Sequence, residues 1–372
     1  MIKIGITGQA GFIGTHLHNT LGLHPEEFER IDFQRSFFEN ETNLDAFVSQ
    51  CDVIVHLAAM NRHNDPEVIY ATNVGLVTSL ISSLERTGSK AHVIMSSSSQ
   101  EEKDNLYGKS KKEGRELLVQ WGNSANATFT GMVIPNVFGP FGHPYYNSVV
   151  ATFSHQIANG ENPQIQVDGD LKLIYVGELV AEILSKIRCR QNESMCLVAH
   201  TSEAKVSELL VLLQNYKAGY QDKGEIPTIK NTFELNLFNT FRCYMDIANH
   251  FPVKFVQHID PRGSFVEVIR LGVGGQVSFS TTVPDITRGN HYHTRKIERF
   301  AVIKGKALIQ LRRIGTEEVL NFYLDGNEPS YVDMPIWYTH NIKNIGDEVL
   351  YTNFWINEFY DPNDPDTYFE NV

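Results

Sequence analysis

Residues 4–17 read IGITGQAGFIGTHL, with Gly8, Gly11 and Gly14 closing an apolar strand and opening a helix. Each glycine has a separate job in such a turn. The first makes the tight bend, the second lets backbone approach a pyrophosphate, and the third lets the helix pack on the sheet. The helix start, with Phe12 and Ile13 in its first turn, offers N–H groups and positive dipole to phosphates. Further β-branched runs, Asp52–Leu57 and His92–Ser96, read as buried parallel strands, and Val74–Leu84 carries apolar positions at helical spacing between them. This alternation predicts an α/β doubly wound parallel sheet binding a dinucleotide. Asp32 lies near the distance at which an acid meets ribose hydroxyls, which favours NAD, whereas Arg35 is placed to take a 2′-phosphate, which favours NADP.

The texture changes after His250. Residues 204–248 read as mostly helical, whereas Phe265–Leu271, Phe300–Leu311 and Val349–Ile356 read as short strands parted by Gly and Asp-Gly-Asn turns. Two domains are predicted, 1–247 with a dinucleotide cleft and a small substrate-binding portion, and 253–372 as an all-β sandwich or barrel.

Composition bounds the function. The chain has 372 residues and a net charge of −12, which argues against nucleic acid or an anionic membrane as partner. Cys51, Cys189, Cys196 and Cys243 are scattered without a C-x-x-C pair, which suits a reducing compartment. The chain start shows no signal-peptide pattern and no apolar run of bilayer length is read, so a cytoplasmic location is expected.

Residues 94–113 read IMSSSSQEEKDNLYGKSKKE. Tyr107 and Lys111 stand four apart, on one helix face, so the lysine charge is expected to lower the phenol pKa and make Tyr107 a proton donor or acceptor. A serine from Ser96–Ser99 at the preceding strand end would hold the reacting oxygen.

His291 and His293 form His-x-His, Glu298 follows across a turn, and Pro335-x-Trp337-x-x-His340 comes later. Three imidazoles and a carboxylate within fifty residues suit Zn, Fe(II), Mn or Ni, with open positions for water or substrate.

These stretches carry two resemblances. The glycine start, His56-Leu57-Ala58-Ala59, Tyr107-x-x-x-Lys111, Pro135–Pro140 and Asp168-Gly169…Ile174-Tyr175-Val176 resemble the extended, nucleotide-sugar-modifying short-chain dehydrogenases/reductases. That resemblance implies Tyr107 as acid/base, Lys111 as its partner on the ribose, Ser98 (with Ser97 adjacent) as the active serine, and Leu57, Ala58 and Ala59 at the cofactor. Two arginines usual in that branch are replaced, at Val133 and around Leu171-Lys172.

The histidine set resembles the metal-binding cupins. Asp260-x-Arg262-Gly263-x-Phe265-x-Glu267 and Arg288-Gly289-Asn290-His291-Tyr292 also resemble the nucleotide-sugar 3,5-epimerase cupins, where the corresponding histidine is a metal-free base. Tyr338, Tyr292 and Lys296 are the base candidates outside the ligand set. A reductase followed by a cupin is similar to the bifunctional CapF-type enzymes of capsular polysaccharide synthesis. That likeness implies a UDP-linked 4-keto amino-deoxy sugar as substrate, 3-epimerisation before reduction, NADPH rather than NADH, zinc and a homodimer. The alternative is an NAD(P)-dependent reductase or 4-epimerase whose cupin only binds metal and sugar.

Overall fold

The structure, a computed structural model, describes residues 1–261 and 263–372, so Arg262 of the second resemblance lies outside the described residues. The doubly wound sheet is present. Six parallel strands run in the order Phe28–Ile31, Ile2–Thr7, Val53–His56, His92–Ser98, Phe129–Ile134 and Glu193–Leu197. The central strands Val53–His56 and His92–Ser98 are apolar on both faces because helices cover both. Ile4, Ile6, Val53 and Val55 pack with Leu179 and Ile183 on one face, while Ile54, Val93 and Met95 pack with Val77, Leu80 and Leu118 on the other.

The helix Pro66–Thr87 is 22 residues long and, by length and composition, is apolar enough to cross a membrane, contrary to the expectation that no such run exists. Its context accounts for the apolarity. Asp65 caps its start, Gly88 ends it, and Val77, Leu80 and Leu84 are buried in the sheet's core.

The second half is all-β, as expected. One antiparallel sheet orders Val253–Lys254, Ser330–Met334, Glu298–Lys304, Leu350–Ile356 and Gln276–Thr282. The other orders Val319–Asp325, Lys306–Arg313, Tyr338–Asn344, Thr287–Tyr292 and Tyr368–Phe369. Phe300, Val302, Ile309, Leu311, Val332 and Ile342 fill the core of this cupin-like jelly roll. Of the stretch expected as strand over Phe265–Leu271, Phe265 and Val266 pair with His258 and Gln257, and Leu271 makes an isolated bridge with Ile226.

The chain divides into compact units at other points than the 247–253 junction read from sequence. One unit comprises Met1–Thr152 and Gln166–Val206, and the other Phe153–Ile165 and Ser207–Val372. Helices after Val206 belong with the β sheets because a buried polar network ties them there. Tyr220 donates to Asp333 Oδ2 at 2.7 Å, Arg299 grips both Asp333 oxygens at 2.7 and 2.9 Å, and Arg242 reaches the Met334 carbonyl at 2.9 Å.

Candidate active sites: a nucleotide cleft and a metal centre

A cleft of about 570 Å³ opens at the C-terminal ends of the parallel strands, where such sheets bind ligands. Gly8, Gly11, Phe12, Ile13, Gly14, Arg35, Leu57 and Ala59 line it, with Ser96, Ser97, Ser98, Tyr107 and Lys111. Gly8 has φ +80°, and a Cβ there would meet the Ala58 backbone nitrogen at 2.8 Å, so Ala58 acts as the wall behind the turn. A Cβ on Gly14 would meet the Gly8 carbonyl at 2.2 Å, which explains the third glycine by helix–turn packing. Asp32 does not line this cleft. It faces a separate depression with Glu29, Arg30 and Gln50, whereas Arg35 lies in the cofactor cleft.

Asn105 caps the helix Leu106–Ala125 by accepting from Gly108 N at 2.7 Å, putting Tyr107 in its first turn and Lys111 one turn later. Gly108 lets that helix press onto the serine turn, since a Cβ would meet the Gln100 carbonyl at 2.0 Å. Tyr107 is hydrogen-bonded with Ser98. Burial nonetheless pushes the phenol up to about 12, with the Ser98 bond opposing. The expected lowering by Lys111 is therefore outweighed by burial. Burial also brings the Lys111 amine down to about 8, opposed by the Glu101 carboxylate.

Sequence reasoning missed Glu101 and Arg115. Arg115 grips both Glu101 oxygens at 2.9 and 2.7 Å, and Ser97 donates to the same carboxylate. Ser97 is committed there and Ser98 is the serine on Tyr107. Arg115 stands four residues beyond Lys111, the helical spacing that was the available signal.

In the β unit, His291, His293, Glu298 and His340 present one ligand atom each, all within 4.8 Å of one another. Neighbouring strands bring His291 and His340 into direct register, and Glu298 starts the strand of the facing sheet. His293 Nδ1 lies 2.5 Å from the Asp366 carbonyl, and His340 Nδ1 lies 3.2 Å from the Tyr338 carbonyl. A carbonyl only accepts, so both Nδ1 atoms carry a hydrogen, and in the neutral rings that bind a metal both Nε2 atoms keep a lone pair. Those lone pairs stand 3.2 and 3.1 Å from Glu298 Oε2, and among the described residues buried His340 Nε2 has no hydrogen-bond partner. Electron pairs so crowded on a carboxylate call for a cation between them, and the donor set fits a divalent metal.

Burial alone would lower His293, but the Glu298 carboxylate and the Asp366 carbonyl hold it above its ordinary value. Burial alone would raise the Glu298 carboxyl, but facing His293 and His340 hold it well below the usual range. Burial, then His340 and His293, bring His291 down to about 4.

Two base candidates face elsewhere. The Lys296 amine donates to the Pro365 carbonyl at 2.6 Å, and the Tyr292 ring is stacked between Trp337 and Tyr368. Tyr338 lies two residues from His340 on the same strand face, its phenol pushed up to about 12 by burial.

Comparison with known proteins fits both halves. Residues 4–188 match the NAD dependent epimerase/dehydratase family, and residues 258–368 match the polysaccharide biosynthesis C-terminal domain. A UDP-2-acetamido-2,6-beta-L-arabino-hexul-4-ose reductase of Pseudomonas aeruginosa is 31% identical, over 99% of this chain and 98% of its own. The crystal structure of the capsular polysaccharide assembling protein CapF from Staphylococcus aureus is 34% identical, covers 100% of both chains and has a TM-score of 0.64. The chain belongs to the CapF-type capsular polysaccharide enzymes. A CapF structure with the inhibitor 3-isopropenyl-tropolone, 32% identical over 100% of both chains, has a TM-score of 0.59. CapF-type membership makes this chain a nucleotide-sugar keto reductase/epimerase of polysaccharide synthesis with an NAD(P)-binding fold.

Proposed function

We propose that the chain performs two successive steps on one UDP-linked sugar. The cupin inverts carbon 3 of a UDP-2-acetamido-2,6-dideoxy-hexos-4-ulose. The reductase then reduces the 4-ketone, giving UDP-N-acetyl-6-deoxy-L-talosamine, a precursor of UDP-N-acetyl-L-fucosamine. The observation that carries this reading is the four-ligand cluster in the same chain as the Ser98–Tyr107–Lys111 cleft. Each half needs the same ketone. The ketone acidifies the neighbouring C–H for inversion, and reduction removes it, so inversion comes first.

In the cleft, Ser98 orients the carbonyl oxygen, Tyr107 protonates it, and Lys111 holds the ribose and stabilises developing negative charge. Reduced nicotinamide supplies the hydride. In the cupin, His291, His293, Glu298 and His340 would hold a divalent metal, for which zinc suits the donor set, and when bound it would supply Lewis-acid polarisation of the ketone. The tropolone inhibitor in the second CapF structure carries adjacent carbonyl and hydroxyl oxygens, a chelating pair, which supports a metal here. Tyr338 is the proton-transfer residue. Tyr338→Phe is expected to slow solvent exchange at carbon 3 by about 10²-fold with metal content unchanged. Unaltered exchange, read by mass spectrometry, would remove Tyr338 from the mechanism.

Arg35 in the cleft, with Asp32 outside it, supports NADPH. Loss of one charge-assisted contact predicts that Arg35→Ala raises the KM for NADPH by about 10- to 100-fold and barely alters that for NADH. Equal effects on both cofactors would refute the 2′-phosphate contact.

A cytoplasmic homodimer is part of the same proposal. The decisive experiment incubates the UDP-4-keto sugar with enzyme and NADPH or NADH in deuterium oxide. One deuterium at carbon 3 with inverted configuration, plus a 4-hydroxyl, is expected. A reduced product without carbon-3 deuterium would leave a simple reductase.

A further inference from the structure

The last stretch of the chain supplies no metal ligand, yet it is built into the metal centre. Asp366 is 1% exposed, and its carboxylate is filled by the loop that joins His293 to Glu298. Oδ1 accepts from the Thr294 backbone N–H at 3.0 Å and from the Thr294 hydroxyl at 2.6 Å. Oδ2 accepts from the backbone N–H groups of Arg295 and Lys296, both at 3.1 Å. The Asp366 carbonyl is the acceptor for His293 Nδ1–H at 2.5 Å. Just beyond, Tyr368–Phe369 pairs with the strand Thr287–Tyr292, placing Phe369 opposite His291.

One residue therefore fixes a ligand's tautomer and also the loop that spaces two ligands. A buried carboxylate is stable only when its lone pairs are met, and here four donors converge on it. The loop's own N–H groups gain in turn the acceptors they would lack. Asp366 holds φ at 39°, the left-handed region that Asp tolerates better than most residues.

We propose that Asp366 is a positioning residue, and that the C-terminal segment is a clasp setting His293 and Glu298 at the spacing a divalent metal requires. The proposal rests on the metal-binding reading above.

The test uses the full chain, stripped with a chelator and titrated with Zn²⁺ against a chromophoric competitor, and with Co²⁺ followed by its visible d–d bands. Asp366→Asn keeps the shape and the backbone carbonyl but sets an NH₂ group against N–H donors. Loss of such an outer-shell partner is expected to weaken metal binding about 10- to 100-fold. The cobalt bands should shift, while NADPH binding at the reductase cleft stays unchanged. Thr294→Val, which deletes only the hydroxyl donor, should weaken the metal less, and it carries the test if the Asn variant does not fold. Wild-type affinity and wild-type bands in both variants would overturn the clasp, even with a lowered melting temperature, because Asp366 would then be merely structural. A wild-type chain that binds neither ion would overturn the metal reading, and the clasp with it.

Discussion

Tyr107→Phe is expected to lower ketone reduction by about 10²- to 10⁴-fold, the range that a positioned proton donor contributes. The change deletes one oxygen from a side chain whose ring stays packed in the first turn of its helix, so the effect reads chemistry rather than folding. That oxygen is the group hydrogen-bonded with Ser98 over buried Lys111. Burial holds the free phenol at about 12 and the lysine at about 8. Tyr107 is therefore a protonated acid at neutral pH, the state required to meet a developing alkoxide. Solvent deuterium should still enter carbon 3 of the UDP-4-keto sugar, because the metal cluster draws no ligand from this cleft. The check is NADPH oxidation alongside product mass in deuterium oxide. If the variant also stops exchange, the division of labour between two sites is wrong.

What was legible in the sequence was what spacing alone settles. The glycine turn, Tyr107-x-x-x-Lys111 and His291-x-His293 each lie within one local element, whose geometry brings the side chains together wherever it packs. Asp366 was not legible, because its four donors lie 70 to 72 positions earlier in the chain. Nor was the choice between Asp32 and Arg35. Both follow the strand Phe28–Ile31, and only the path of the chain beyond it decides which one enters the cleft. The helices after Val206 show the same limit. An amphipathic pattern predicts a buried face but not which sheet it covers, and the Tyr220–Asp333 and Arg242–Met334 bonds that decide the matter are tertiary contacts. The direction of the Tyr107 shift failed for a related reason. Spacing reports the neighbouring charge but not the desolvation, and here desolvation wins.

His340→Ala is expected to weaken divalent-metal binding by more than about 100-fold, beyond what losing an outer-shell partner costs. Exchange at carbon 3 should vanish with the metal. His340 is fully buried, and among the described residues its Nε2 has no hydrogen-bond partner. Its removal therefore takes away a ligand nitrogen together with the Nδ1 contact to the Tyr338 carbonyl. Glu298, 3.1 Å from that nitrogen, would keep only His293 and His291 as nearby ligands. Reduction of a 4-ketone already carrying the inverted carbon 3 should proceed at the wild-type rate, since the Ser98–Tyr107–Lys111 cleft is untouched. Elemental analysis, deuterium uptake and NADPH oxidation on the pre-epimerised sugar separate these outcomes. Retained exchange in a metal-free variant would sink the Lewis-acid role and leave inversion to an unassisted base. Tyr338 would then have to remove the proton with a phenol at about 12, and its rate would climb with pH until the phenolate formed. With the metal bound, exchange should be faster at every pH, because a polarised ketone would lower the barrier to proton removal, while the climb with pH through the phenolate remains.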